Sequence, residues 1–156
     1  MTVQRPAAGG RRSRGPWSVA GATLTAALVL ASCQTTPLPA SPEVVAVAMG
    51  DYRFSYDRSI SPGRVVFRAR NDGQLTHELV LVDMPEDFPL SIDAQLHSSK
   101  RQAFPTRAYL PPRPPGSPGT FAVDLQPGRY ALVCFVADPD GQQHALKGMS
   151  SEFRVR

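Results

Sequence analysis

Gly128-Arg129-Tyr130-Ala131-Leu132-Val133-Cys134-Phe135-Val136-Ala137-Asp138-Pro139-Asp140-Gly141-Gln142-Gln143-His144-Ala145-Leu146-Lys147-Gly148-Met149 is the stretch on which the reading of this chain turns. Its first part follows a Pro127-Gly128 turn and alternates, with Tyr130, Leu132 and Cys134 in one phase, which predicts a strand that ends at the thiol. Its second part has no period, carries the turn signal Asp138-Pro139-Asp140-Gly141, and closes on an imidazole and a thioether. A thiolate, an imidazole and a thioether on one loop are three soft or borderline metal-binding groups. A further imidazole, His77, stands far upstream at the start of the apolar run His77-Glu78-Leu79-Val80-Leu81-Val82. The question for the remaining residues is whether they can hold these four together.

Working outward, strand periodicity dominates. Val44 to Met49 is a short apolar run, and Tyr52, Phe54 and Tyr56 then share a face opposite Arg53 and Ser55. Pro62-Gly63 turns into a strand with Val65, Phe67 and Ala69 in one phase and Arg64, Arg68 and Arg70 in the other. Asn71-Asp72-Gly73 is again turn chemistry, after which His77, Leu79 and Leu81 share the inward phase. Phe121, Val123 and Leu125 alternate before Pro127, and Phe153 and Val155 mark a last strand. Short strands, Pro/Gly turns and little helical period predict an all-β fold, an antiparallel sandwich or barrel. The domain is expected over residues 43–156, long enough for its own core. Residues 84–119 are expected to be an insertion, with a short helix near 92–100 capped by Ser91 and an extended surface loop over Pro111 to Pro118.

Upstream, Met1 to Ser32 has the layout of a secretory signal, with Arg5, Arg11, Arg12 and Arg14 before the uncharged run Trp17 to Ala31. That run falls short of the ~20 residues that span a bilayer as a helix. Leu30-Ala31-Ser32-Cys33 resembles the lipobox of bacterial lipoproteins, which implies lipidation of Cys33 and a cell-membrane location on the exported face. The Arg11-Arg12 pair hints at twin-arginine export. Residues 33–42, rich in Pro and polar residues, are expected to be a tether. The leader accounts for the whole charge excess: 17 basic and 13 acidic residues become 13 and 13 without its four Arg. Nucleic acid is therefore not an expected partner. With Cys33 lipidated, Cys134 has no intramolecular partner in a disulfide-permissive compartment, so it is buried and inert, paired with another chain, or metal-bound.

At these residues the domain resembles the cupredoxins. Pro127-Gly128-Arg129-Tyr130 through Cys134 is similar to the family's Pro-Gly-x-Tyr-x-x-x-Cys lead-in, His144 to Met149 to its His-x-x-x-Gly-Met close, and Asn71-x-Gly73-x-x-x-His77 to its upstream His region. The resemblance implies a Greek-key β-sandwich holding one copper ion, with His77, Cys134 and His144 equatorial and Met149 axial, the ligand set of a blue-copper centre. It implies single-electron exchange with a redox partner protein in the cell envelope. Two departures stand out. Nine residues separate Cys134 from His144, more than the family usually shows, so the loop either forms its own hairpin and returns His144 or displaces it. His77 is followed by Glu78, where an Asn would tie the two ligand loops together, so one fastener is expected to be missing.

Each residue alone has a plainer reading: His77 as a core or edge histidine, Cys134 as a core thiol, His144 as a loop residue, Met149 as a core filler. Their joint order beside the lead-in favours a metal. Nothing resembles a hydrolytic triad or paired-carboxylate site, so no enzyme is expected. Two other function classes remain, an envelope copper chaperone or store and a metal-free interaction module. Only Met49, Met84 and Met149 follow the leader, which disfavours the chaperone. Lys100, Arg101, Arg107 and Arg113 lie in an acid-free stretch and are expected to form a basic flank for an acidic partner or anionic headgroups, or else a solvated loop. His97 is expected at the surface.

Overall fold

The computed structural model describes residues 41–156. The expected signal peptide, the lipidation site Cys33 and the tether up to residue 40 lie outside the described residues. Eight strands are present: β1 (Glu43–Gly50), β2 (Arg53–Ser55), β3 (Gly63–Asn71), β4 (His77–Met84), β5 (Thr106–Arg113), β6 (Pro118–Leu125), β7 (Gly128–Val133) and β8 (Ser150–Val155). A short helix, α1 (Ile92–His97), and a 3-10 turn over His144–Lys147 complete the described residues. The strands form two four-stranded sheets, ordered β2-β1-β3-β6 and β5-β4-β7-β8. Every pairing is antiparallel except β1 with β3, which is parallel.

Period-2 patterning explains how the sheets close on each other. Val45, Val47, Met49, Val65, Phe67 and Ala69 from the first sheet meet Leu79, Leu81, Leu132, Phe153 and Val155 from the second. Cys134 and Met149 belong to the same cluster, so both fall on the inward phase of this core. β4 and β7 are also covered on their outer face, where Val80, Val82, Ala131 and Val133 pack against Ile92 and Leu96 of α1. This double burial is why β4 reads as a continuous apolar run rather than an alternating one.

The helix falls where the capping signal put it, with the Ser91 hydroxyl accepting from the Ala94 N–H at 3.1 Å. Its approach is fixed by Arg129, which is 8% exposed. That guanidinium donates to both Glu152 carboxylate oxygens, at 2.6 and 3.0 Å, and to the carbonyls of Phe88 and Leu90. The stretch 84–119, expected as one insertion, divides differently. The part between β4 and β5 carries α1 and lies outside the sheets, whereas β5 and β6 are full members of them. Pro111 and Pro112 lie within β5, not in a loop. β5 is an edge strand paired only with β4, and its register with β4 shifts between Leu110 and Arg113, so the missing N–H groups of the adjacent prolines fall on the open side and in a bulge.

Tyr52 departs from the expected strand face. It sits in the β1–β2 turn with φ of 61°, a left-handed conformation that is strained for a non-glycine residue.

Candidate metal centre

At one end of the sandwich His77, Cys134 and His144 converge, with one donor atom from each within 4.8 Å of the others. All are buried, at 0, 0 and 1% exposure. His77 is the first residue of β4, Cys134 follows the last residue of β7, and His144 opens the 3-10 turn. The long Cys134–His144 loop does form its own hairpin. Ala137 and Gln143 make an isolated bridge, Asp138 N–H donates to the Gln142 carbonyl, and Gly141 takes the left-handed φ of 81° that the turn needs. His144 N–H then bonds the Val136 carbonyl at 2.8 Å, which returns the imidazole to the thiol. Met149 is fully buried beside them, its carbonyl accepting from Cys134 N–H and its N–H donating to the His144 carbonyl. Gly148, with φ of 103°, makes the turn between His144 and Met149.

Each imidazole is held by a carboxylate. His77 Nε2–H donates to Asp51 Oδ1 at 2.9 Å, and His144 Nε2–H donates to Asp138 Oδ1 at 3.0 Å. Ionised carboxylates only accept, so each ring carries its proton on Nε2 and presents Nδ1 as a lone pair. Those two Nδ1 atoms are 3.0 Å apart, and His144 Nδ1 is 3.6 Å from Cys134 Sγ. Facing lone pairs repel in a dry site. A shared proton or a metal ion between them turns that repulsion into attraction, and two imidazole nitrogens with a sulfur suit copper. His77, Cys134 and His144 therefore fit a copper ion, and Met149 is buried in the same core cluster as Cys134.

The surrounding charges follow. Asp51 also accepts the N–H groups of Gln74 and Leu75, and its pKa is lowered chiefly by the His77 bond. Asp138 is held far below the usual carboxylate range, first by Lys147, whose ammonium lies 2.6 Å away, and then by the Tyr52 hydroxyl at 2.7 Å. Burial lowers the pKa of His77 against the pull of Asp51, which keeps the ring neutral. Burial also raises that of the Cys134 thiol, opposed by the main-chain N–H groups of Glu78 and Val136.

Glu78 overturns the expectation of a missing fastener. Its N–H points at Cys134 Sγ at 3.5 Å, while its carboxylate accepts the Phe135 N–H at 2.9 Å and the Tyr109 hydroxyl at 3.0 Å. The tie between the two ligand strands is therefore made, through a carboxylate in place of an amide. Asn71 secures the approach to His77, donating to the carbonyls of Leu75 and Arg113 at 2.7 Å.

The basic flank is not one patch. Arg107 is paired with Asp83 at 2.8 Å, and Arg113 stands half-buried at the other end of β5, opposite His77. Lys100 and Arg101 remain exposed. His97 is exposed and bridges to the Leu146 carbonyl, away from the donor atoms. From sequence, Asp51 and Lys147 carry no signal of their part here, Tyr52 reads only as a strand residue, Glu78 only as a departure beside His77, and Asp138 only as part of a turn between two expected ligands.

No protein-family model and no curated protein matches this chain. Solved structures do. A dithionite-reduced auracyanin from the photosynthetic bacterium Roseiflexus castenholzii is 19% identical, with TM-score 0.51, covering 75% of this chain and 98% of its own. Auracyanin A, a "blue" copper protein of the green thermophilic bacterium Chloroflexus aurantiacus, is 18% identical at TM-score 0.51, covering 74% and 100%. Reduced rusticyanin is 17% identical at TM-score 0.51, covering 75% and 82%. At such identities the likeness is one of architecture, and the fold of the described domain is the cupredoxin fold.

Proposed function

We propose that this protein carries single electrons through one copper ion held by His77, Cys134, His144 and Met149, on the exported face of a membrane to which Cys33 tethers it by a lipid. The observation that carries the reading is the buried convergence of two imidazole Nδ1 atoms and a thiol sulfur whose other ring nitrogens are already occupied by carboxylates. Copper supplies a one-electron Cu(I)/Cu(II) couple and lowers the cost of ionising the thiol. Asp51 and Asp138 hold both rings in the tautomer that offers Nδ1. Glu78 N–H donates to the sulfur, and two main-chain bonds anchor Met149. Donors fixed from a strand start, a strand end and a hydrogen-bonded hairpin move little, so little reorganisation accompanies a change in charge. In this reading the site passes an electron and makes or breaks no substrate bond, and a redox protein of the envelope is its partner. The burial of all four residues favours retaining the ion over handing it on.

Titration of the purified chain with Cu(II), followed by visible absorption, tests this. An intense thiolate-to-copper charge-transfer band is expected, and Cys134→Ser should abolish it. Tight Cu(I) binding without that band would favour copper delivery, and binding of neither ion would remove the reading.

A further inference from the structure

We propose that electrons enter and leave this site through the face formed by Tyr109 and Phe135, and that this face docks an acidic redox partner. The inference rests on the copper reading above.

The imidazole end is shut. His144 is 1% exposed and its Nε2 is taken by Asp138. The Tyr52 ring stands edge-on to it at 5.3 Å, and the Lys147 ammonium lies over that ring at 5.6 Å. His77 and Met149 are fully buried. An approaching protein reaches none of these donors directly.

The sulfur side is open by comparison. Phe135, bonded in the chain to Cys134, is 37% exposed, and Tyr109 is 50% exposed. Both attach to one carboxylate: Glu78 accepts the Phe135 N–H and the Tyr109 hydroxyl, while its own N–H meets Cys134 Sγ. From the sulfur to the surface the path is therefore one peptide unit to Phe135, or two hydrogen bonds and one side chain to Tyr109. Exposed aromatics of this kind anchor protein interfaces.

Charge selects the partner. Arg101 lines the same hollow as Phe135, and Lys100 precedes it. Among the described residues, neither has a carboxylate within ion-pair distance. The imidazole end instead carries Asp51, paired with His77, and Asp138 and Asp140, which share the ammonium of Lys147. An acidic partner is steered away from that end and toward Phe135.

The test is stopped-flow oxidation of the copper-loaded, reduced full chain by hexacyanoferrate(III). One electron leaves Cu(I), hexacyanoferrate(II) forms, no proton moves, and the return of the charge-transfer band is read. Arg101→Gln and Gln142→Glu each change one unit of charge, the first at the proposed face and the second on the hairpin of the imidazole end. Arg101→Gln and Phe135→Ser are expected to slow the reaction about fivefold, with Gln142→Glu within about twofold of the parent. Slowing by Gln142→Glu with Arg101→Gln unaffected, or no effect of either, overturns the port. If Phe135→Ser alters the band itself, Arg101→Gln alone decides. Absence of the band in the parent chain overturns the copper reading and the port with it, whereas an intact band with the wrong rate pattern overturns the port alone.

Discussion

His77 and His144 perform the same task by opposite means. His77 starts a strand, and its carboxylate Asp51 is itself gripped by the main-chain N–H groups of Gln74 and Leu75. His144 sits in a loop, and its carboxylate Asp138 is gripped by side chains, Lys147 and Tyr52. A donor on a strand inherits its position from register and backbone, whereas a donor on a long loop needs side chains recruited for the purpose. The loop arm is thus the more mutable half of the site.

The largest effect should come from Asp138→Asn, which weakens the hold on both His144 and Lys147. Copper affinity, measured by competition with a chelator, is expected to fall about 100-fold, against about tenfold for Asp51→Asn. Equal losses would break the comparison. Gly73→Ala should reproduce the smaller, strand-side loss with both carboxylates still in the sequence, because a Cβ there would collide with Asp51 Oδ1 and stand 2.9 Å from His77 Nε2. A fall of about tenfold in copper affinity is expected, with the His144 side chain resonances unmoved. Tyr52→Phe removes one of three bonds to Asp138, and about threefold is expected.

Acid should separate the two arms. Asp51 and Asp138 both have folded pKa values below the ordinary carboxylate value, with Asp138 held furthest below it. A lowered folded pKa gives stability that is complete above the unfolded value, about 4, and is lost as pH falls toward the folded one. In the metal-free chain, carboxyl titration by NMR should show Asp51 protonating first and Asp138 at lower pH. The urea midpoint should decline over the same acid range. Lys147→Met should bring the Asp138 titration up toward that of Asp51, since the ammonium is the chief cause of its depression.

The strands and the three residues that converge, His77, Cys134 and His144, were legible because they depend on local pattern. Tyr130, Leu132 and Cys134 share an inward phase, and the Asp138-Pro139-Asp140-Gly141 turn is strong enough to fold the long loop back on itself. What was not legible depends on pairing at a distance. Nothing in Asp51 announces a contact with His77, and nothing in Glu78 shows that its carboxylate reaches Phe135. Pro111 and Pro112 argue for a loop by composition, and only the edge position of β5 together with its register shift against β4 makes them acceptable in a strand. Four basic residues close in sequence suggest one patch, but Asp83 claims Arg107, and the length of β5 carries Arg113 to the other end.

Asp51 and Tyr52 are neighbours, yet one reaches His77 and the other reaches the carboxylate of His144, across 26 and 86 positions of chain. The two imidazoles themselves are 67 positions apart. Contacts of such separation close long loops, and the donors come from a strand start, a strand end and a hairpin, so the full set is assembled only when those elements are in place. Any ion the site takes therefore meets its donors in the folded chain and has little to grip in the folding transition state. Its stabilisation should fall on the unfolding rate, lengthening the lifetime of the folded state while leaving the speed of folding almost untouched.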